Sequence, residues 1–230
     1  MRRILVINSK GGCGKTTIAT NLASWYACSG LPTALIDYDA QGSSMRWASL
    51  RSKKRPPVHC IHANHASRSN MTSSWSLRVP PDTQRVIMDA PAGVSGHYLL
   101  DYLRNVDVVI VPVLPSHIDI HAAARFIEDL LLIGKVRSSG IQVGVVANRV
   151  NRNTMIYHKL ERFLNTLKLP FVTSLRDTQH YVRAVGSGLG VHELWDRRAK
   201  QDHMHWQPLF RWLERDRVNL QVQHQQVSDI

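Results

Sequence analysis

Apolar residues in this chain fall into short, nearly continuous runs separated by longer segments of helical periodicity. The runs are Ile4-Leu5-Val6-Ile7, Thr33-Ala34-Leu35-Ile36, Arg85-Val86-Ile87-Met88, Val108-Val109-Ile110-Val111 and Val143-Gly144-Val145-Val146-Ala147. They are rich in β-branched residues and show no in–out alternation, which predicts parallel strands covered on both faces. Between them the periodicity predicts helices over about 15–29, 43–53, 95–104, 119–135, 153–167, 178–187 and 203–214. The fourth carries a clear stripe of Ile120, Ala123, Ala124, Ile127, Leu130 and Leu131. Residues 52–84, with Pro56, Pro57, Pro80, Pro81 and many serines, read as an irregular surface insertion with a short strand near Val58–Ile61. The expected fold is α/β: a doubly wound, mostly parallel sheet flanked by helices. A single domain over 1–214 is expected, followed by a mobile polar tail over 215–230.

The strand ends carry the chemistry. After the first run comes Asn8-Ser9-Lys10-Gly11-Gly12-Cys13-Gly14-Lys15-Thr16-Thr17, and a helix opens at Lys15. Strand, glycine loop and helix in that order make a phosphate-binding loop, whose backbone N–H groups turn inward around a polyphosphate. Gly11, Gly12, Cys13, Gly14, Lys15, Thr16 and Thr17 form the expected nucleotide cradle. Lys15 reaches the β- and γ-phosphates and the Thr16 hydroxyl ligates Mg²⁺. Ser9 stands where the usual motif has glycine, and Lys10 is a second lysine. Because Lys15 already serves the phosphates, Lys10 makes sense as a group that crosses to the nucleotide of a partner subunit. The second run ends in Asp37-Tyr38-Asp39-Ala40-Gln41-Gly42-Ser43. Of its two carboxylates, one suits support of Mg²⁺ and its waters, the other orientation of an attacking water. Asp89, closing another apolar run ahead of Ala90-Pro91-Ala92-Gly93, sits where such a loop needs its Mg²⁺-side carboxylate.

Composition narrows the setting. The chain has 230 residues, 43% of them hydrophobic, which suits one sizeable domain. No apolar run approaches the ~20 residues of a membrane span. The Met1-Arg2-Arg3 start gives way to the polar loop too soon for a secretory leader. Cys13, Cys28 and Cys60 lack metal-ligand spacing and point to a reducing, cytoplasmic compartment. The net charge of +12 exceeds what one nucleotide needs, and suggests a polyanionic partner such as DNA or an acidic membrane.

Together these motifs resemble the ParA/MinD family of deviant-Walker ATPases, over residues 1 to about 214. Lys10–Thr17 resembles its deviant Walker A motif, Asp37–Gly42 its switch I, and Met88–Gly93 its Walker B and switch II. Ala40 stands in place of the usual switch I proline. Gln41-Gly42-Ser43-Ser44 with Trp47 is similar to the small partition ATPases. Stretches such as Pro115–Asp119 and Gly188–Leu194 look like the orphan cargo-positioning branch, the carboxysome-positioning McdA type above all. The resemblance implies ATP and Mg²⁺ as cofactors. It makes Lys10 and Asp39 catalytic, places Thr16, Asp37 and Asp89 at the metal, and sets Asn148 against adenine, with 170–177 as the other wall of the base pocket. It further implies an ATP-sandwich homodimer, sequence-independent binding to nucleoid DNA, and a cargo adaptor that stimulates hydrolysis. Candidate DNA contacts are Arg149, Arg152, Arg176, Arg183, Arg197, Arg198 and Lys200.

Three other patterns need weighing. His59, Cys60, His62 and His65 look metal-like but have no matching cluster elsewhere. Trp206, Leu209, Phe210 and Leu213 with Arg211, Arg215 and Arg217 could form a membrane-riding helix of the MinD kind. The favoured alternative is a closing helix packed on the sheet, because Glu214, Asp216 and a long polar stretch follow. An iron–sulfur scaffold would need paired cysteines in the second half, and a related tyrosine kinase a tyrosine-rich tail; neither is present.

Overall fold

A computed structural model of the chain describes residues 1–63, 79–136, 138–167 and 169–228, with side chains as far as Arg215. Strands β1 (Arg2–Val6), β2 (Thr33–Asp37), β3 (His59–His62), β4 (Arg85–Asp89), β5 (Val108–Val113), β6 (Gln142–Val150) and β7 (Phe171–Arg176) form one sheet. Its order is β3-β2-β4-β1-β5-β6-β7, and every pairing is parallel. Helices α1 (Lys15–Cys28), α2 (Ser43–Leu50), α3 (His97–Leu103), α4 (His117–Leu132), α5 (Met155–Thr166), α6 (Gln179–Gly186) and α7 (Lys200–Ser228) complete the chain.

The apolar runs work as expected, because each strand feeds two cores. Leu5 and Ile7 point with Val109, Val111 and Val113 toward α3, α4 and α5. Ile4 and Val6 point with Val108 and Ile110 toward α1, α2, α6 and α7. Neighbouring strands β1 and β5 therefore send their helices, α1 and α4, to opposite faces. That divergence opens a crevice beyond the carboxyl ends of the strands, where open parallel sheets bind ligands.

Helix starts follow capping chemistry where the chain supplies it. Ser116, Thr154 and Thr178 accept backbone N–H groups at the heads of α4, α5 and α6. The short strand expected near 58–61 is β3 at the sheet edge, while residues 64–78 of the insertion, His65 included, lie outside the described residues. Two elements differ from the sequence expectation. β7 went unpredicted because it is an edge strand whose apolar residues are sparse, with polar Thr173 and Ser174 in its middle. The last helix, expected over 203–214, begins at Lys200 and its backbone continues to Ser228.

α7 is a core element. Trp206, Leu209, Phe210 and Leu213 are all buried against the sheet, which bears out the closing-helix reading. Gly144 in β6 makes room for it, since a Cβ there would lie 2.7 Å from the Trp212 ring and from Val172. Polar ties pin the same helix: Arg85 Nη2 donates to Glu214 Oε2 at 2.8 Å, and Tyr26 Oη donates to Glu214 Oε1 at 2.9 Å. Among the described residues no helix is long and apolar enough to cross a membrane.

Trp206 is the test of this packing, being fully buried with Nε1 donating to Tyr181 Oη at 3.0 Å. Trp206→Ala should destabilise the fold by about 3–5 kcal/mol, as for other large core truncations. Urea denaturation would measure it, and a loss below about 1 kcal/mol would show that α7 is not part of the core.

Candidate functional site

The glycine loop lies at the C-terminal end of β1, where Asn8 fastens it. Asn8 Nδ2 donates to the Pro112 carbonyl at the end of β5 (2.7 Å), and Oδ1 accepts the Lys10 N–H (3.0 Å). Lys15, buried at the head of α1, points its ammonium into the loop and donates to the carbonyls of Lys10 (2.9 Å) and Asn8 (3.2 Å). Those carbonyls hold the cation at the loop's centre, where phosphate oxygens would meet it. Gly11 and Gly12 are exposed, and Thr16 and Thr17 half-buried. Cys13 is buried, its thiol donates to the Lys10 carbonyl, and burial pushes its pKa up, so it acts as a spacer and not a nucleophile. The Lys10 side chain is half-exposed and, among the described residues, has no ion-pair partner.

Gly14 and Asn148 form a tight contact beneath the loop. Asn148, buried at the end of β6, donates Nδ2 to the Cys13 carbonyl at 2.9 Å. A Cβ on Gly14 would sit 2.1 Å from that nitrogen, and Gly14 has φ +90°. The chain turns directly after Asn148, with Arg149 at φ +52° and its N–H donating to Asn148 Oδ1 at 3.0 Å. In this geometry Asn148, expected at the adenine, spends its amide on the loop.

Asp37 and Asp89 end adjacent strands in register and are both buried. Asp37 Oδ1 accepts from the Asp39 N–H (3.0 Å), and Oδ2 accepts from the N–H groups of Ser44 (2.9 Å) and Met45 (3.2 Å). Its carboxyl is pushed above the usual range by burial, with the three backbone donors opposing. Asp89 Oδ2 accepts from Ser44 Oγ at 2.6 Å, whereas Oδ1 is buried with no hydrogen-bond partner among the described residues. Burial pushes the Asp89 carboxyl up to about 7, against the opposing hydrogen bonds of Ser44 and Thr16. A buried carboxylate with one oxygen unpartnered among the described residues, and the Thr16 hydroxyl beside it, is a hard-oxygen donor set that suits Mg²⁺. Asp39 is half-exposed, with Oδ1 accepting from the Gln41 N–H at 3.0 Å. Gly93, in the loop after β4, donates its N–H to the Ser9 carbonyl at 2.8 Å and so stitches that loop to the glycine loop.

The basic candidates divide. Arg176 is committed to buried Asp202 at 2.9 Å, Arg183 pairs with Asp196 at 3.2 Å and Arg149 with Asp177 at 3.5 Å. Arg152 donates to Ser174 Oγ at 2.7 Å. Arg197, Arg198 and Lys200 are exposed on one turn leading into α7 and form no ion pair among the described residues. Trp195 stands beside them, 95% exposed. Of the histidine cluster, His62 Nε2 lies 3.2 Å from the Asp39 carbonyl. Among the described residues neither His59 nor His62 belongs to a group with metal-ligand spacing.

Sequence reasoning missed Asn8 and Ser44. A side-chain amide between a strand and a glycine loop is a turn-forming signal that could have exposed Asn8. Ser44 carries none, because its partner lies 45 residues away.

The family model for the CobQ/CobB/MinD/ParA nucleotide-binding domain matches residues 4–191. The maintenance of carboxysome distribution protein A of Halothiobacillus neapolitanus is 27% identical over 193 residues, covering 83% of this chain and 87% of that protein. The protein of the same description from Gloeobacter kilaueensis is 26% identical over 217 residues, covering 94% and 95%. Among solved structures, an ATP complex of a Cyanothece McdA variant superposes with a TM-score of 0.67 at 16% identity, covering 91% of this chain and 96% of that one.

Two outcomes follow from this geometry. Gly14→Ala should weaken ATP binding by about tenfold or more, since the strain is of order 1–3 kcal/mol at the loop itself. Titration with a fluorescent nucleotide would read it, and parent-like affinity would mean that Asn148 swings aside at no cost. The second concerns pH. The Asp89 carboxyl ionises near 3.8 when unfolded but near about 7 when folded without metal. Between those values the folded state holds the extra proton, so its stability falls as pH rises. Asp89→Asn removes that slope and should gain on the parent from about pH 4 to about pH 7 in denaturation with EDTA. Parallel curves would mean that Asp89 ionises without penalty.

Proposed function

Because the chain belongs to the CobQ/CobB/MinD/ParA nucleotide-binding family, we propose that it is an ATP-driven dimer switch that binds DNA without reading sequence and positions a cargo. The protein is an ATPase of the ParA/MinD kind, similar to two carboxysome distribution proteins. The observation that carries the finer reading is Lys10. It sits on the loop's rim with an ammonium that makes no ion pair among the described residues, while Lys15 points into the loop. A second cation there is useful to a nucleotide held by a second copy of the chain, so Lys10 acts across an ATP-sandwich interface.

Within one subunit the backbone of Gly11–Thr17 cradles the phosphates and Lys15 neutralises them. Thr16 and Asp89 Oδ1 would hold Mg²⁺, which supplies charge neutralisation between the phosphates. Asp37, its oxygens already bonded, supports that site through its neighbours and not by direct ligation. Asp39 orients the attacking water and receives its proton. Asn148 contributes by holding the loop, and meets adenine once nucleotide draws it from Cys13. Closing the dimer joins the exposed Arg197, Arg198 and Lys200 of both subunits into one cationic surface, with the other basic candidates at its margins. The cargo is a carboxysome, a plasmid or a comparable body, and an adaptor on it stimulates hydrolysis. The site of action is then the cytoplasm, on the nucleoid. A membrane-riding alternative has less support, since the apolar face of α7 is buried.

One binding experiment tests the scheme. Asp39→Ala should bind ATP, accumulate as a dimer and shift DNA of any sequence with ATP but not ADP. Log affinity should fall with log salt at roughly −0.9 per phosphate neutralised, and Arg197→Glu with Arg198→Glu should weaken it uniformly. Equal binding with ATP, ADP and no nucleotide would remove the switch. ATP-dependent capture by anionic liposomes in place of DNA would favour the membrane reading.

A further inference from the structure

The first turn of α2 holds both buried carboxylates of the nucleotide edge. Ser44 Oγ donates to Asp89 Oδ2 at 2.6 Å, and the Ser44 and Met45 N–H groups donate to Asp37 Oδ2 at 2.9 and 3.2 Å. Ser44 is completely buried, so its hydroxyl hydrogen has no water to turn to. Because that hydrogen occupies Oδ2, the carboxylate is left with Oδ1 as the oxygen that has no hydrogen-bond partner among the described residues. The loop that carries Asp39 hangs from the same turn. Its start is held by the Asp39 N–H on Asp37 Oδ1 (3.0 Å), and its end by the Arg46 N–H on the Gly42 carbonyl (2.9 Å). Further along α2, Trp47 is buried and anchored by Nε1 to the Leu189 carbonyl at 3.1 Å. The helix is thus fixed at Trp47, and its leading turn is set by where Asp89 and Asp37 lie.

We propose that Ser44 is a positioning residue that couples the state of Asp89 to the placement of Asp39. When Asp89 Oδ1 engages a divalent cation, the carboxylate settles into one orientation. Ser44, bonded to the other oxygen, carries the first turn of α2 with it, and the loop from Tyr38 to Gly42 follows. Ser44 touches no phosphate in this scheme, so it governs turnover and not nucleotide affinity. The inference rests on the roles of Asp89 and Asp39 given under Proposed function.

Hydrogen exchange of the 38–46 amides provides a readout independent of turnover. The protein is compared with a non-hydrolysable ATP analogue in EDTA and in Mg²⁺. In the parent, Mg²⁺ should slow exchange across this segment. Ser44→Ala should keep its analogue affinity in EDTA within about twofold, while the Mg²⁺-dependent slowing shrinks by about tenfold, the equilibrium effect of one hydrogen bond to a charged group. Its kcat should fall with the KM for ATP held. Ser44→Cys, similar in size with a weak donor, should lie between the two, and carries the same comparison if Ser44→Ala melts far below the parent. Parent-like slowing and kcat in both variants would overturn the proposal, as would a loss of analogue affinity in EDTA. Asp89→Asn separates this failure from that of the site reading. If it abolishes the Mg²⁺ effect while the Ser44 variants do not, only the role of Ser44 falls. If it too behaves like the parent, the metal assignment falls with it.

Discussion

Two carboxylates buried side by side are the constraint around which this molecule is arranged. Asp37 and Asp89 end adjacent strands in register, so the sheet itself brings their charges together. Removing either from water is costly unless hydrogen-bond donors replace the lost hydration. The donors come from the head of α2, a helix end that also carries partial positive charge. Ser44 thereby joins two strands to one helix through two hydrogen bonds, its N–H to Asp37 and its hydroxyl to Asp89. Among the described residues Asp89 keeps one oxygen without a hydrogen-bond donor, and burial pushes its carboxyl above the usual range.

The glycine loop obeys a similar economy. Asn8 and Asn148, each at the end of a strand, approach it from two sides and bond the backbone at Lys10 and Cys13. Lys15 fills its centre, and Gly93 ties in the loop after β4. Only a residue without Cβ fits at position 14, because the Asn148 amide occupies that space. A change in any of these groups reaches the others through the backbone they share, as expected where phosphate chemistry depends on positioning.

The face of the sheet that carries α1 and α2 also explains how a C-terminal helix rich in tryptophan and arginine belongs to the fold. α7 lays Trp206, Leu209, Phe210 and Leu213 over the strands, with Glu214 bonded to Arg85 and Tyr26. Arg211 and Arg215 on it are exposed, and the turn before it presents Arg197, Arg198 and Lys200 beside an exposed Trp195. A helix that looked amphipathic enough for a membrane thus uses its apolar face internally.

The sequence by itself determined the strand runs, most of the helices, the phosphate loop and the two strand-end aspartates. Those features are local: continuous β-branched runs, helical stripes and glycine spacing depend on neighbours a few residues apart. It also set a second lysine, Lys10, in the glycine loop beside Lys15. Tertiary structure alone decided what joins distant segments. β7 exists because Thr173, Ser174 and Leu175 are covered by β6 and α7, and not because its sequence is strongly apolar. Arg176, legible only as a surface cation, turned out to hold the buried Asp202. Ser44 gained its partner because parallel strands β2 and β4, nearly fifty residues apart in sequence, run side by side. Such pairings are set by topology and burial, which act across the whole chain and leave no periodic trace in any one stretch of it.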